Sequence, residues 1–179
     1  MEHYFQDIQG WTSFGELYTK VVNEAPDGSR FCEVGCWLGR SAAYMGVEII
    51  NSEKDLHLIC VDHWKGSVEH TDVPEDLFLQ FKKNIAPVKQ CVMPMKAKST
   101  DAAAKFDDGY FYFVFIDAGH EYEDVIADIK AWLPKVKKGG ILAGDDYNMI
   151  GVQKAVMELL PDAHLGNTPN QWPYWWIRV

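Results

Sequence analysis

Two short acidic stretches hold the residues most able to do chemistry in this 179-residue chain: Ile116-Asp117-Ala118-Gly119-His120 and Gly144-Asp145-Asp146-Tyr147. Each follows an apolar run of strand character, at residues 110–116 and 141–143. If those runs are neighbouring strands, about 5 Å apart, three carboxylates meet at one point. Unpaired, they would repel one another and their pKa values would rise. A hard divalent cation such as Mg²⁺ or Ca²⁺ takes oxygen ligands and removes that conflict, so Asp117, Asp145 and Asp146 are candidate metal ligands. Successive strand residues point to opposite faces, so Asp145 and Asp146 can both coordinate only where the chain has left the strand. The same residues also suit a plainer reading, in which the acids cap the helices that follow. His120 falls on the same rim. Its imidazole titrates near neutrality and would serve a substrate hydroxyl as general base, or it simply opens the next helix. Asp117 and His120 are the candidate catalytic residues.

A second constellation lies at Phe31-Cys-Glu-Val-Gly-Cys-Trp-Leu-Gly-Arg-Ser41. A short apolar strand runs into Glu33-x-Gly35-x-x-x-Gly39, and a helix-like stretch follows. Glycines at such a turn let the backbone pass close to a ligand; the alternative is an ordinary tight turn. Residues 57–62 form a second strand that ends in Asp62. Strand, glycine turn, helix, strand and acid is a layout that holds a nucleoside and fixes its ribose hydroxyls; otherwise Asp62 is a turn acid. Cys36-Trp37 stands where a dinucleotide fingerprint has its middle glycine, which favours an uncharged or zwitterionic group over a pyrophosphate. Glu33, just before the turn, could hold a cationic amino group directly or through water. Trp64 would stack on a purine or join the core. Ser99 follows the third strand, where a wound sheet brings the chain near an adenine, and it would also cap a short helix. His63 and His70 lie in or beside a polar loop, residues 65–73, and would line a substrate entrance or remain solvated.

These residues need a sheet whose strands end on one rim. Strands are expected at 31–34, 56–61, 90–95, 110–116, 141–143, 163–166 and 172–179, and helices at 1–24, 41–51, 75–85, 99–106, 121–136 and 151–160. Gly139-Gly140 reads as a turn. Strands that alternate with helices argue a parallel sheet covered on both faces, and right-handed crossovers place the carboxyl ends together. A hairpin through Thr168-Pro169-Asn170 would make the last strand antiparallel.

The 47% hydrophobic content suits one compact domain over residues 1–179, with 1–25 as an N-terminal helical segment. A formal net charge of −9 argues against a nucleic-acid backbone as partner. No apolar run is long enough to cross a bilayer, and the N-terminus lacks the basic and apolar regions of a signal peptide, so a cytoplasmic location is expected. Cys32, Cys36, Cys60 and Cys91 fit no zinc spacing and read as reduced thiols, Cys32 and Cys60 in buried strands. The aromatic Trp172, Tyr174, Trp175 and Trp176 point to a closing strand and a packed or oligomeric surface, which allows a homo-oligomer.

Taken together, Glu33-Val-Gly-Cys-Trp-Leu-Gly39, the strand ending at Asp62, Phe115-Ile-Asp-Ala-Gly-His120 and Lys138-Gly-Gly-Ile-Leu-Ala-Gly-Asp-Asp-Tyr147 resemble a class I S-adenosylmethionine-dependent methyltransferase. They are similar to the small metal-dependent O-methyltransferases of sugars and phenolic natural products. The resemblance implies a Rossmann-like, doubly wound, mostly parallel seven-stranded α/β sheet of order 3-2-1-4-5-7-6 with the last strand antiparallel. It implies an S-adenosylmethionine site drawn from Glu33, Gly35, Gly39, Ser41, Asp62, Trp64, Ser99 and Asp117, with S-adenosylhomocysteine as product. It also implies a Mg²⁺ site from Asp117, Asp145 and Asp146, with His120 close to the reacting oxygen of a small-molecule acceptor. Residues 1–25 and the loop 65–76 are what the chain offers to cover that acceptor. The rival readings are a metal-independent methyltransferase with His120 as base, and a binding protein without catalysis. A nicotinamide-dependent oxidoreductase is disfavoured by the missing glycine.

Overall fold

A computed structural model describes residues 1–66, 75–166 and 172–179. The expected positions of His70 and of the Thr168-Pro169-Asn170 turn, and most of the loop 65–76, lie outside the described residues. Seven strands form one sheet: β1 (Arg30–Val34), β2 (His57–Asp62), β3 (Val92–Lys96), β4 (Phe111–Ile116), β5 (Val136–Gly144), β6 (His164–Gly166) and β7 (Tyr174–Arg178), in the order β3-β2-β1-β4-β5-β7-β6. The first five pair in parallel, and β7 runs antiparallel to both β5 and β6. The wound, Rossmann-like sheet expected from the sequence is therefore present.

The central strands explain themselves. All six residues of β4, Phe-Tyr-Phe-Val-Phe-Ile, are buried, as a strand covered on both faces requires. Alternate side chains feed two cores. Phe31, Leu58, Cys60, Phe113 and Phe115 face α1 (Gly15–Glu24), α2 (Arg40–Ser52) and α3 (Leu77–Asn84), whereas Cys32, Val34, Ile59, Val61, Val114 and Ile116 face α4 (Ser99–Ala103), α5 (Tyr122–Trp132) and α6 (Ile150–Leu159). Helix α1 is seated on β4 by aromatic rings, with Phe14 4.2 Å and Tyr18 5.2 Å from Phe115 between centroids. Pro94, in β3, falls on an edge strand, where a missing N–H costs no ladder bond.

The expected first helix is broken. Only a 3₁₀ turn at Phe5–Asp7 and α1 are helical, because Gly10 adopts φ +139° and the chain between them runs over α2, where Arg40 donates to the carbonyls of Gln6 and Ile8. Helix α5 stops at Trp132, and Pro134 belongs to a 3₁₀ turn, Leu133–Lys135. Gly139-Gly140 is not a turn between elements but an irregularity inside β5. Phe111 pairs with Val136 and Phe113 with Ile141, so Tyr112 alone stands opposite Lys137, Lys138, Gly139 and Gly140. Gly139, at φ +81°, donates its N–H to the carbonyl of Val179, the geometry of a bulge.

Candidate active site

The C-terminal ends of β1, β2, β4 and β5 meet on one rim, and backbone contacts set their relative positions. Gly35 donates to the carbonyl of Val61, Asp117 to that of Val34, and Asp145 to that of Ile116. Gly35 has φ +85°, and a Cβ there would lie 1.8 Å from the carbonyl oxygen of Asp117. This glycine is needed chiefly because the chain after β1 touches the chain after β4. Gly39, at φ +86°, is the N-cap of α2, and a Cβ there would lie 3.0 Å from the Phe81 ring.

Asp62 holds the glycine turn. Its Oδ2 accepts from the N–H groups of Cys36 (2.9 Å) and Trp37 (3.1 Å), and its Oδ1 from that of Trp64 (2.7 Å). A carboxylate offers about four acceptor positions, so room for a ribose hydroxyl remains on this partly exposed side chain. Trp64 is in the core: it is buried against Phe78 and Phe81, each ring 4.7 Å away, and its indole N–H donates to the carbonyl of Trp37. It steadies the turn from below and presents no face to a purine.

Glu33 is almost fully enclosed, at 1% exposure. It shares the face of Phe31, so it points under α1 and α2, not outward. Its Oε1 accepts from the Ser41 hydroxyl (2.6 Å) and its Oε2 from the Tyr18 hydroxyl (3.2 Å). Burial pushes its carboxyl up to about 7, against the opposing effect of those two hydrogen bonds. Glu33 and Ser41 thus bind each other, and both are buried. Ser99 is likewise turned inward. It is the first residue of α4, not its cap, and its hydroxyl donates to Asp128 and accepts from the indole N–H of Trp132 (2.8 Å). Only its backbone remains for an adenine. Tyr18 and Asp128 had no local sequence signal for these roles, because their partners are 15 and 29 residues away.

Asp117, Ala118, Gly119, His120, Asp145, Asp146 and Trp175 line a small cavity on the rim. One ligand atom each from Asp117, His120 and Asp146 lies within 4.8 Å of the others, and His120 Nε2 is 2.9 Å from Asp146 Oδ2. Both adjacent acids have left strand β5, which ends at Gly144. Asp146 turns through φ +54°, a conformation Asp tolerates better than most residues. Asp145 is not in the three-residue set; its Oδ1 is 3.4 Å from the Ser13 hydroxyl, from the stretch that precedes α1. The structure brings Asp117, His120 and Asp146 together, with Asp145 lining the same cavity. Burial, then the charges of Asp145, Asp146 and Glu33, hold Asp117 well above the usual carboxyl range, with His120 opposing. Burial and Asp146 push Asp145 up to about 7. His63 Nδ1 lies 3.7 Å from Asp62 Oδ1.

A family profile described as a methyltransferase domain matches residues 32–147, which include the glycine turn, Asp62 and both acidic stretches. The chain belongs to this family. With it comes the S-adenosylmethionine-dependent class. No curated protein sequence matches the methyltransferase. Solved structures share its fold. CalS11, a TDP-rhamnose 3′-O-methyltransferase of calicheamicin biosynthesis, is 16% identical over 92% of this chain and 76% of its own, with TM-score 0.68. The O-methyltransferase NovP is 17% identical over 90% and 78%, with TM-score 0.68. A Streptococcus mutans protein in complex with SAH is 12% identical over 94% and 99%, with TM-score 0.67.

Proposed function

We propose that this methyltransferase moves the sulfonium methyl of S-adenosylmethionine to a hydroxyl oxygen of a small molecule, at the rim where β1, β2, β4 and β5 end. The observation that carries the reading is the convergence of Asp117, His120 and Asp146 within 4.8 Å, beside a glycine turn held by Asp62. The O-methyltransferase neighbours and the neighbour in complex with SAH support it.

The reaction is a displacement. An oxygen–carbon bond forms as the carbon–sulfur bond breaks, the thioether leaves with the bonding pair, and the acceptor hydroxyl gives up one proton. Little covalent chemistry falls to the protein, so alignment of oxygen, carbon and sulfur is its main work. Asp62 fixes the loop that receives the donor and has acceptor capacity left for ribose. Gly35 keeps that loop against Asp117, which ties the donor end of the rim to the acidic end.

The acidic end suits a divalent cation by its donor set, since two carboxylates and an imidazole converge and a third carboxylate adds negative charge that lifts Asp117. Asp117 and Asp146 would hold the ion, which when bound supplies Lewis-acid stabilisation of an acceptor oxygen. The test is S-adenosylhomocysteine formation across a panel of phenols and sugar hydroxyls, with and without chelator. Turnover that stops with chelator and returns with added dication, and that falls at least about a hundredfold in Asp146→Ala, supports the reading. Turnover indifferent to chelator but dependent on His120 would move the chemistry to a histidine base.

A further inference from the structure

We propose that His120 is a nitrogen ligand of the rim cation, and that the site is built for a first-row transition dication in preference to Mg²⁺. The proposal rests on the rim holding a cation at all, as argued above, and concerns which side chains ligate it.

Three observations carry it. The imidazole Nε2 lies 2.9 Å from Asp146 Oδ2, the separation of two adjacent ligands around an octahedral ion with bonds of about 2.1 Å. Asp117 completes a set whose ligand atoms all lie within 4.8 Å; Asp145 lines the same cavity outside that set, with its Oδ1 3.4 Å from the Ser13 hydroxyl. The main chain of His120 is also fixed. A Cβ on Gly151, at the start of α6, would lie 2.2 Å from the His120 carbonyl oxygen and 2.8 Å from the Tyr122 nitrogen, and a Cβ on Gly119 would lie 2.9 Å from Asp124 Oδ2. The start of α6 and the first turn of α5 leave the His120 backbone little freedom, which holds its position on the rim beside Asp146.

The chemistry follows from the donors. Mg²⁺ and Ca²⁺ prefer oxygen throughout. Imidazole suits the later first-row dications, and a mixed carboxylate–imidazole set gains most from Mn²⁺ to Zn²⁺. The selectivity that His120 adds is therefore over and above the general affinity order of those metals, and it is that increment which a substitution should remove.

The experiment is binding of Mn²⁺ to the full chain, read by pulsed electron paramagnetic resonance, which detects a directly bonded imidazole nitrogen. The expected result is ¹⁴N modulation that changes to the ¹⁵N pattern when histidine is labelled with ¹⁵N, a test needing no variant. In parallel, calorimetric titration of His120→Gln with Zn²⁺ should show affinity weakened at least about tenfold, with Mg²⁺ affinity changed less than about threefold. Asp145→Asn should retain the nitrogen signal. Bound Mn²⁺ without nitrogen modulation would overturn the ligand assignment while leaving a cation at the rim. Failure of the chain to bind Mn²⁺ at all would overturn both this proposal and the metal part of the functional reading.

Discussion

A buried glutamate between two hydroxyls makes the sharpest prediction at the level of single residues. The Glu33 carboxyl is pushed up to about 7 from 4.5 by burial, so across that window the folded chain keeps a proton that the unfolded chain releases. Stability is then greatest at the acid end of the window and declines as pH rises, by about 3 kcal/mol in all. Urea unfolding at pH 5 and pH 8 should show this decline, and Glu33→Gln should remove that share of it while keeping partners for Ser41 and Tyr18. Asp128, raised to about 6 by burial, contributes a decline of the same sign in both proteins. Asp62 gives a second prediction. Asp62→Ala leaves the N–H groups of Cys36, Trp37 and Trp64 without their acceptor, and should cost about 2 kcal/mol of stability and weaken donor binding measured by calorimetry. How far such residues were legible differs between them. The alternation of β1 already placed Glu33 on the face of Phe31, so its burial was open to a reading of parity that the glycine motif overshadowed. Which hydroxyl would meet it was not, since Tyr18 arrives from α1 and Ser41 from α2.

Among elements, the glycine turn and the bulge of β5 show where sequence patterns succeed and where they mislead. Gly35→Ala would combine a strained φ of +85° with a Cβ 1.8 Å from the Asp117 carbonyl; a loss of about 2–4 kcal/mol by denaturant unfolding is expected, together with weaker donor binding. Most strands and helices could be read from apolar runs, because that periodicity is local, whereas the order of strands in the sheet was implied only by the family resemblance. Gly139-Gly140 could not. Glycine pairs signal turns between elements and bulges within them alike, and only the pairing of Tyr112 against residues 137–140 tells the two apart. The N-terminal stretch failed as a helix for a similar reason: the φ of Gly10 and the hydrogen bonds of Arg40 to the Gln6 and Ile8 carbonyls outweigh the apolar spacing. Ser99→Ala, at the start of α4, should cost about 1–2 kcal/mol by thermal or urea unfolding, since it strips a partner from both buried Asp128 and Trp132.

For the whole molecule, the sheet has two unequal halves. The parallel half, β3 to β5, carries the methyltransferase match and the rim, while β7 and β6 close the far side. Trp175 of β7 is nearly inaccessible, contacts Gly144 and lines the acidic cavity. Trp175→Ala should cost about 3–5 kcal/mol by urea unfolding and disturb Asp145 and Asp146 with it. Among the described residues no helix is long and apolar enough to cross a membrane. The order of the closing strands has a kinetic meaning. Strand β6 precedes β7 in the chain, yet among the described residues its one neighbour in the sheet is β7, which bridges it to β5. The earlier strand must therefore wait for the later one to dock. In amide exchange, the two should become labelled together, in a single opening event that leaves the nucleoside half of the sheet protected.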